Sequence, residues 1–490
     1  MERFLSRYKV PLVAGTLVLF GVLYGLLSFG NHLMFRTYGL DLGAYTHALY
    51  NYAHLRGDDC SFFLWEPSNL LADHFDLYLV LISPLVYLFG DYTLLIVQLV
   101  ALLFGMYGTY RLAHLYWVGE LVPLVSMLLL GLGFGVWHAF AFDYHSNVVA
   151  ALLLPWLLYC VGRRRMWGVV LLAAAIAVAK ETSALWVVFV LVALLFDHWR
   201  DRGMRRLLLL TAVGCLAWFL LLGLWVMPSL GGSSRGFWRY EWMGSTVGGM
   251  VGWLIAHPLE ALRAFFSNFS GNEAFDGLKG EFLLCTLLSG GFLLFLKPNY
   301  LLMLVPPLAM KMLSQDAGFW GVTYHYNVEV SVVIAMAAAS ENLLVRKCVN
   351  VSVWMRSTAV GLALCILFYT TGTPRTDIRK ADVRVFDMRH WRQPDFDRRA
   401  AQRMIDAIPA TASVCATSPF TPHLATRDSL YLFPIGLGYG AEYFLILEDY
   451  PGYYREEDYN EETMAKQLIA DTVNYRVVDA KGGLWLLQRR

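Results

Sequence analysis

The chain has 490 residues, of which 57% are hydrophobic and 16% charged, and its mean hydropathy is +0.49. So few polar residues cannot cover a water-soluble globule. A net charge of +1, with both signs mixed, gives no footing for nucleic acid or for a polybasic membrane-surface protein.

The composition is that of a polytopic membrane protein. A basic start, "MERFLSRYKV", precedes an apolar run at 11–30 that is long and lacks a small-residue cleavage pattern. It reads as an uncleaved first spanning helix. Further apolar runs follow at 76–90, 92–112, 121–137, 148–161, 167–179, 183–196, 207–226, 282–296, 300–312, 328–344 and 359–369. Basic residues gather at Arg3, Arg7 and Lys9; at Arg163, Arg164 and Arg165; at Arg200, Arg202, Arg205 and Arg206; and at Arg346, Lys347 and Arg356. Loops rich in Lys and Arg stay in the cytoplasm. All four clusters lie inside only if one run between Gly30 and Arg163 does not cross. The run 76–90 is short, contains Pro84 and is bounded by Asp76 and Asp91, so it is expected to be re-entrant or to lie along the outer interface. About eleven spans remain. The N-terminus is then cytoplasmic, and the loops 31–75 and 228–281 face outward with the turns at Asp143, Lys180 and Tyr324.

Beyond Thr370 the composition turns charged and mixed, so the membrane part is expected over 1–371 and a soluble extracytoplasmic domain over 372–490. Helical spacing in "FDRRAAQRMIDAI" precedes strand-like "ASVCAT", "SLYLF" and "EYFLILED". A second helix at "EETMAKQLIAD" and a hairpin through Lys481 and Gly482 complete a small α/β fold. Seven scattered cysteines without a CxxC pair signal neither a zinc site nor a disulfide framework.

An ionisable group at bilayer depth costs roughly 2.5 to 3.5 kcal/mol on insertion scales, so each one asks for a partner, a cavity or a task. Lys180 and Glu181 follow a run too short to carry them clear of the membrane, so the pair is expected to line a polar cavity where Lys180, oriented by Glu181, would meet a donor phosphate; the alternative is snorkelling at a helix end. Asp143 and His145 in "FDYHSN" form a D-x-H pair that shares a side only in extended backbone. It is either a polar turn or a place for a divalent metal, and no cofactor is otherwise indicated. Asp41 opens a stretch with Leu42, Tyr45, Leu49 and Tyr52 at helical spacing, which predicts an interface-lying amphipathic helix. Its carboxylate is either a helix cap or a base held at the membrane surface, and His74 is carried by the same loop. Tyr324 and His325 in "YHYN" would bind phosphate or sugar, or belong to an aromatic belt. Arg36, Arg235 and Arg239 would grip a lipid phosphate, or remain solvated loop charges.

The order of "YGLDLGAYTHALYN", "HFDLYLVLISPL", "FDYHSNVVAALLLPWLLY", "AKETSAL" and "YHYN" resembles a family of uncharacterised polytopic membrane proteins, a domain of unknown function placed with the GT-C glycosyltransferases. The resemblance implies a GT-C-like helical arrangement and transfer of a sugar from a polyprenyl-phosphate donor on the outer side. It also implies an acidic first-loop residue, at Asp41, as base; the adjacent Asp-Glu pair of several GT-C branches is absent, since Leu42 follows Asp41. The partners expected are a lipid-linked donor, membrane lipids and an acceptor of unspecified kind, and the expected location is a bacterial inner (plasma) membrane. The rival readings are a transporter or lipid flippase, disfavoured by the lack of an internal repeat, and a non-catalytic assembly protein.

Overall fold

A computed structural model of the chain describes residues 2–231, 238–340, 391, 396–452 and 460–490, and in addition positions 358, 360, 361 and 364. The protein is mainly helical, with one small sheet near its C-terminus. It packs as two compact units. The first comprises Met1–Gly25, Gln98–Ser229 and Ser233–Phe386; the second comprises Leu26–Val97, Leu230–Gly232 and Asp387–Arg490.

Among the described residues, five helices are long and apolar enough to cross a membrane: Lys9–Leu33, Leu77–Tyr116, Leu121–Ala141, Glu181–His198 and Arg202–Ser229. Ser146–Gly162, Met166–Ala177, Val247–Ala256 and Val328–Ala339 are shorter apolar helices. The run expected at 359–369 falls largely on residues outside those described, as do Arg346, Lys347 and Arg356 and the expected boundary at 371 and 372. Several runs that look continuous in sequence are broken. Gly133, in extended backbone, separates Leu121–Gly131 from Phe134–Ala141. The run 282–296 passes through a π-helical turn at Leu287–Gly291, where Gly290 takes φ +99°, a conformation that glycine adopts without steric cost.

The run 76–90 is a chain of short pieces. The Asp76 carboxylate accepts from the Tyr78 N–H and starts Leu77–Ile82. A 3-10 turn, Ser83–Leu85, carries Pro84, and Val86–Phe89 ends at Gly90 with φ +55°. Counted with the helix that follows, the stretch Leu77–Tyr116 is 40 residues long, roughly twice what a crossing needs. We propose that its first part lies along the interface, for which that surplus leaves room.

In the second unit the five strands are β1 Val414–Ala416, β2 Leu430–Leu432, β3 Tyr443–Leu447, β4 Tyr475–Lys481 and β5 Leu484–Arg489, in the order β2-β1-β3-β5-β4. β1 is parallel to β2 and β3, and β5 is antiparallel to β3 and β4. Side chains alternate across a strand, and the two faces sort accordingly. Val414, Ala416, Leu445, Leu484 and Leu486 face a core built with Ala400, Met404 and Ile405 of the helix Arg398–Ala407. Cys415, Phe444, Ile446 and Leu487 face one built with Ala465 and Leu468 of the helix Glu461–Ala470. Gly482 and Gly483, both at positive φ, close the β4–β5 hairpin as its twist demands.

The first core also takes in Phe35, Ala44 and Phe62 from the early loop. The Phe62 carbonyl accepts from the Leu432 N–H at 2.7 Å, extending the edge at β2. Residues expected to belong with the membrane part therefore pack on the tail. Phe62 is 1% exposed, so Phe62→Ala is expected to cost about 3 to 5 kcal/mol, read as a lowered unfolding midpoint of the purified protein; an unchanged midpoint would contradict this packing.

Candidate functional site

The first unit carries three polar turns among apolar helices, and two of the turns pack on each other. The helix Phe134–Ala141 stops at Phe142, whose backbone is extended. Residues 143–145 continue without helix, and His145 is itself extended at φ −145°. That is the backbone a D-x-H pair requires for its side chains to share a face. Asp143 and His145 are both buried, and the His145 N–H donates to the Gln98 side chain at 3.0 Å.

The second turn carries Lys180 in extended backbone just ahead of the helix Glu181–His198. Glu181 in the first turn suits the positive end of the helix dipole, whereas a lysine there opposes it. The charge of Lys180 instead acts on Glu329, which also feels Lys311. The third turn, Tyr324 to Asn327, leads into the helix Val328–Ala339. Tyr324 takes φ +64°, a strained conformation for a bulky residue and one found at functional turns.

The first and third turns interlock. The rings of His145 and His325 stack with centroids 3.5 Å apart, and Phe142 lies nearly parallel to both, 5.3 Å from His145 and 5.9 Å from His325. Tyr324 meets the edge of Phe142 at 4.8 Å. The Asn147 amide donates to Glu329 at 2.9 Å. His145, His325 and Asp143 are buried here, and the half-buried Glu329 feels Lys180 and the buried Lys311, in surroundings where reduced access of water strengthens charge interactions. Such a set can hold an anionic group and move protons to or from it.

The family of predicted membrane proteins, described as "Predicted membrane protein (DUF2079)", matches residues 31–486. The chain belongs to this family. No curated protein matches it. Among solved structures it is similar to the oligosaccharyltransferase of Archaeoglobus fulgidus tethered to an acceptor peptide, at 12% identity, TM-score 0.40, covering 90% of this chain and 69% of that one. It is also similar to ArnT of Cupriavidus metallidurans bound to undecaprenyl phosphate, at 12% identity, TM-score 0.44, covering 96% and 98%. At that identity the likeness concerns the fold and gives no residue a role.

The remaining expected residues of this DUF2079 membrane protein are placed as follows. Asp41 and His74 belong to the second unit; Asp143, His145, Lys180, Glu181, Tyr324 and His325 belong to the first. Asp41 is half-buried in a π-helical turn, Gly39–Gly43, that runs into the helix Ala44–Ala53. The cap positions of these two elements are Tyr38 and Gly43, and neither start has a side-chain cap. The expected capping role is therefore corrected: the π-turn, which inserts an extra residue and recurs at functional sites, carries Asp41 past the position from which it would cap. The flanking glycines explain the "GLDLG" spelling. A Cβ on Gly39 would lie 2.8 Å from Leu432 and 2.9 Å from Thr421, and one on Gly43 would lie 3.1 Å from Thr421 and 3.2 Å from Phe62. The Gly39 N–H donates to Ser418 at 2.9 Å. His74 ends the short helix Leu70–Asp73. Within the same unit, burial keeps the His47 imidazole below its ordinary range against the opposing pull of Asp58, and Arg56 holds the Asp428 carboxyl low.

Arg36 is half-buried and its N–H donates to the Asn31 carbonyl. Arg239 donates to Asp316 at 2.7 Å and lies over the Phe319 ring, so its charge is already met. Arg235 lies outside the described residues. Sequence reasoning passed over Glu329 and Lys311. Lys311 is 1% exposed, gives its ammonium to the Phe319 and Gly321 carbonyls and sits over the Phe282 ring. Its signal was plain, a lysine within the apolar run 300–312, which insertion cost alone marks as special. Asp143 and His145 do not complete a three-ligand metal group among the described residues; that geometry occurs at His32, Asp91 and His423.

Proposed function

We propose that this protein is a membrane glycosyltransferase that moves a sugar from a polyprenyl-phosphate donor to an acceptor on the extracytoplasmic side of the membrane. The observation that carries this reading is the buried stack of His145 on His325 inside an apolar helical unit, with the half-buried Glu329 hydrogen-bonded to Asn147 of the adjoining helix start and under the charge of Lys180 and Lys311. The resemblance of the ordered motifs to the GT-C glycosyltransferases supports it. Fixed cations meet the charge of a departing phosphate without reorganisation, which is where such a site gains most of its rate.

The acceptor hydroxyl or amine attacks the anomeric carbon, Asp41 takes its proton, and the carbon–oxygen bond to phosphate breaks with its electron pair on the phosphate. His74 assists Asp41. Lys180, oriented by Glu181, neutralises the leaving phosphate; His325 and Tyr324 contact phosphate or sugar, with Arg36, Arg235 and Arg239 on the donor. Asp143 and His145 shape the acceptor position, and a divalent metal there is the remaining option. The protein would act in a bacterial inner membrane with its tail outside.

The test is release of polyprenyl phosphate from polyprenyl-phosphate sugars by the purified protein in lipid nanodiscs, with envelope extract supplying acceptors. Release is expected from the unaltered protein and should fall at least 10-fold in Lys180→Met. Absence of release with every sugar tried, together with accelerated passage of the lipid across vesicles, would replace this reading with a transporter.

A further inference from the structure

The helix Lys9–Leu33 ends at a stacked histidine pair that the proposed transfer chemistry does not use. His32 is fully buried. Its Nδ1 lies 2.8 Å from the Thr37 hydroxyl and its Nε2 lies 3.1 Å from Asp91 Oδ2. His423, from the tail, brings its Nδ1 to 3.8 Å from the same carboxylate oxygen. The two imidazoles stack with centroids 4.1 Å apart. Tyr92 closes on His32 at 4.6 Å, and Phe35 closes on His423 at 4.2 Å. The Nε2 of His423 is buried and has no hydrogen-bond partner among the described residues. All three residues fall in the second unit.

We propose that His32, Asp91 and His423 form a binding site for a zinc-class divalent transition ion, with a fourth position left open. Three ligand atoms, one from each residue, lie within 4.8 Å of one another. Around a tetrahedral ion with bonds of about 2.0 to 2.1 Å, neighbouring ligand atoms stand about 3.3 Å apart, and the observed 3.1 Å and 3.8 Å bracket that spacing. Two imidazoles with one carboxylate suit zinc and its neighbours and do not suit magnesium or calcium, which take oxygen. His423 is also held by a hydrogen bond to the His32 backbone, which fixes its ring beside the shared carboxylate, and one dication would meet all three side chains together. Thr37 fills the place of the outer partner that fixes a metal-bound histidine's tautomer, directing Nε2 inward. With three protein ligands, the fourth position takes water or an anion. The aromatic neighbours shut out solvent on both sides, and the 26% exposure of the Asp91 side chain leaves an entry path.

The ion would fasten the tail to the end of the first helix. The full-length protein, purified in detergent without a polyhistidine tag, is stripped with chelator and titrated with Zn²⁺ against a competing indicator. One equivalent per chain is expected, with a higher melting temperature on binding. H423Q and D91N should weaken binding at least 100-fold and lose the thermal response. T37V, which keeps the ligands, should weaken it about 10-fold. If H423Q does not elute as one species, Co²⁺ decides on the unaltered protein: intense visible bands of a four-coordinate ion support the site. Absence of stoichiometric binding, or H423Q and D91N binding as tightly as the unaltered protein, would overturn it.

Discussion

Asp41→Asn is expected to lower sugar transfer about 100- to 10,000-fold, the range a positioned general base contributes, while changing the melting temperature of the protein far less than a lifted turn would. The two expectations separate because of how the residue is held. Its π-helical turn is seated by Gly39 and Gly43 against Leu432, Thr421 and Phe62, and neither start of the adjoining helical elements has a side-chain cap. Amidation keeps the shape and both glycines and removes the negative charge, and with it the capacity to accept a proton. Asp41→Glu should retain more activity than Asp41→Asn. Gly39→Ala is the complementary change: it keeps the carboxylate and lifts the turn from its seat, so transfer and stability should fall together. A fully active Asp41→Asn protein would remove the residue from the mechanism and leave the fold untouched.

Gly135→Ala is expected to disable the other unit. A Cβ at Gly135 would lie 2.0 Å from the Asn327 carbonyl oxygen, and its N–H donates to the Ser331 hydroxyl at 2.9 Å. The helix Phe134–Ala141 therefore touches the start of Val328–Ala339 backbone to backbone, and relieving the clash needs a shift of about 1 Å. Overpacking of this kind typically costs 1 to 3 kcal/mol and occasionally more; with backbone on the receiving side, about 3 kcal/mol is expected. The shift falls on the turn that carries His325, so the stack with His145 should open as well. The melting temperature in detergent should drop, and transfer should fall further than the fraction unfolded explains. Gly133→Ala, facing the Ser331 Cβ at 2.8 Å, should be milder. A Gly135→Ala protein that melts with the unaltered one would refute the close crossing.

Periodicity and turn chemistry made the tail legible almost strand by strand, because alternation in segments such as "EYFLILED" is a local signal and each face of the sheet has its own core. The polar turns were legible through the cost of placing Asp143, Lys180 and His325 among apolar runs. Long-range partners were not. Nothing local in "YGLDLG" shows that its glycines rest on Thr421 and Leu432. Asp91 looked like the border of an apolar run until His32 and His423 stood beside it. Glu329 was masked by its place at the head of an apolar helix, and its meaning comes only from Asn147 and the two lysines.

The bond from Gly39 to Ser418 joins positions 379 apart in the chain. Contacts so distant in sequence are slow to form because a long loop must close first. During synthesis the early segment leaves the ribosome long before its partner exists, so it must wait, half-assembled, for the last fifth of the polypeptide to arrive. Maturation of the loop that carries Asp41 is therefore a closing event of biogenesis, and a nascent chain released early would leave that loop unseated.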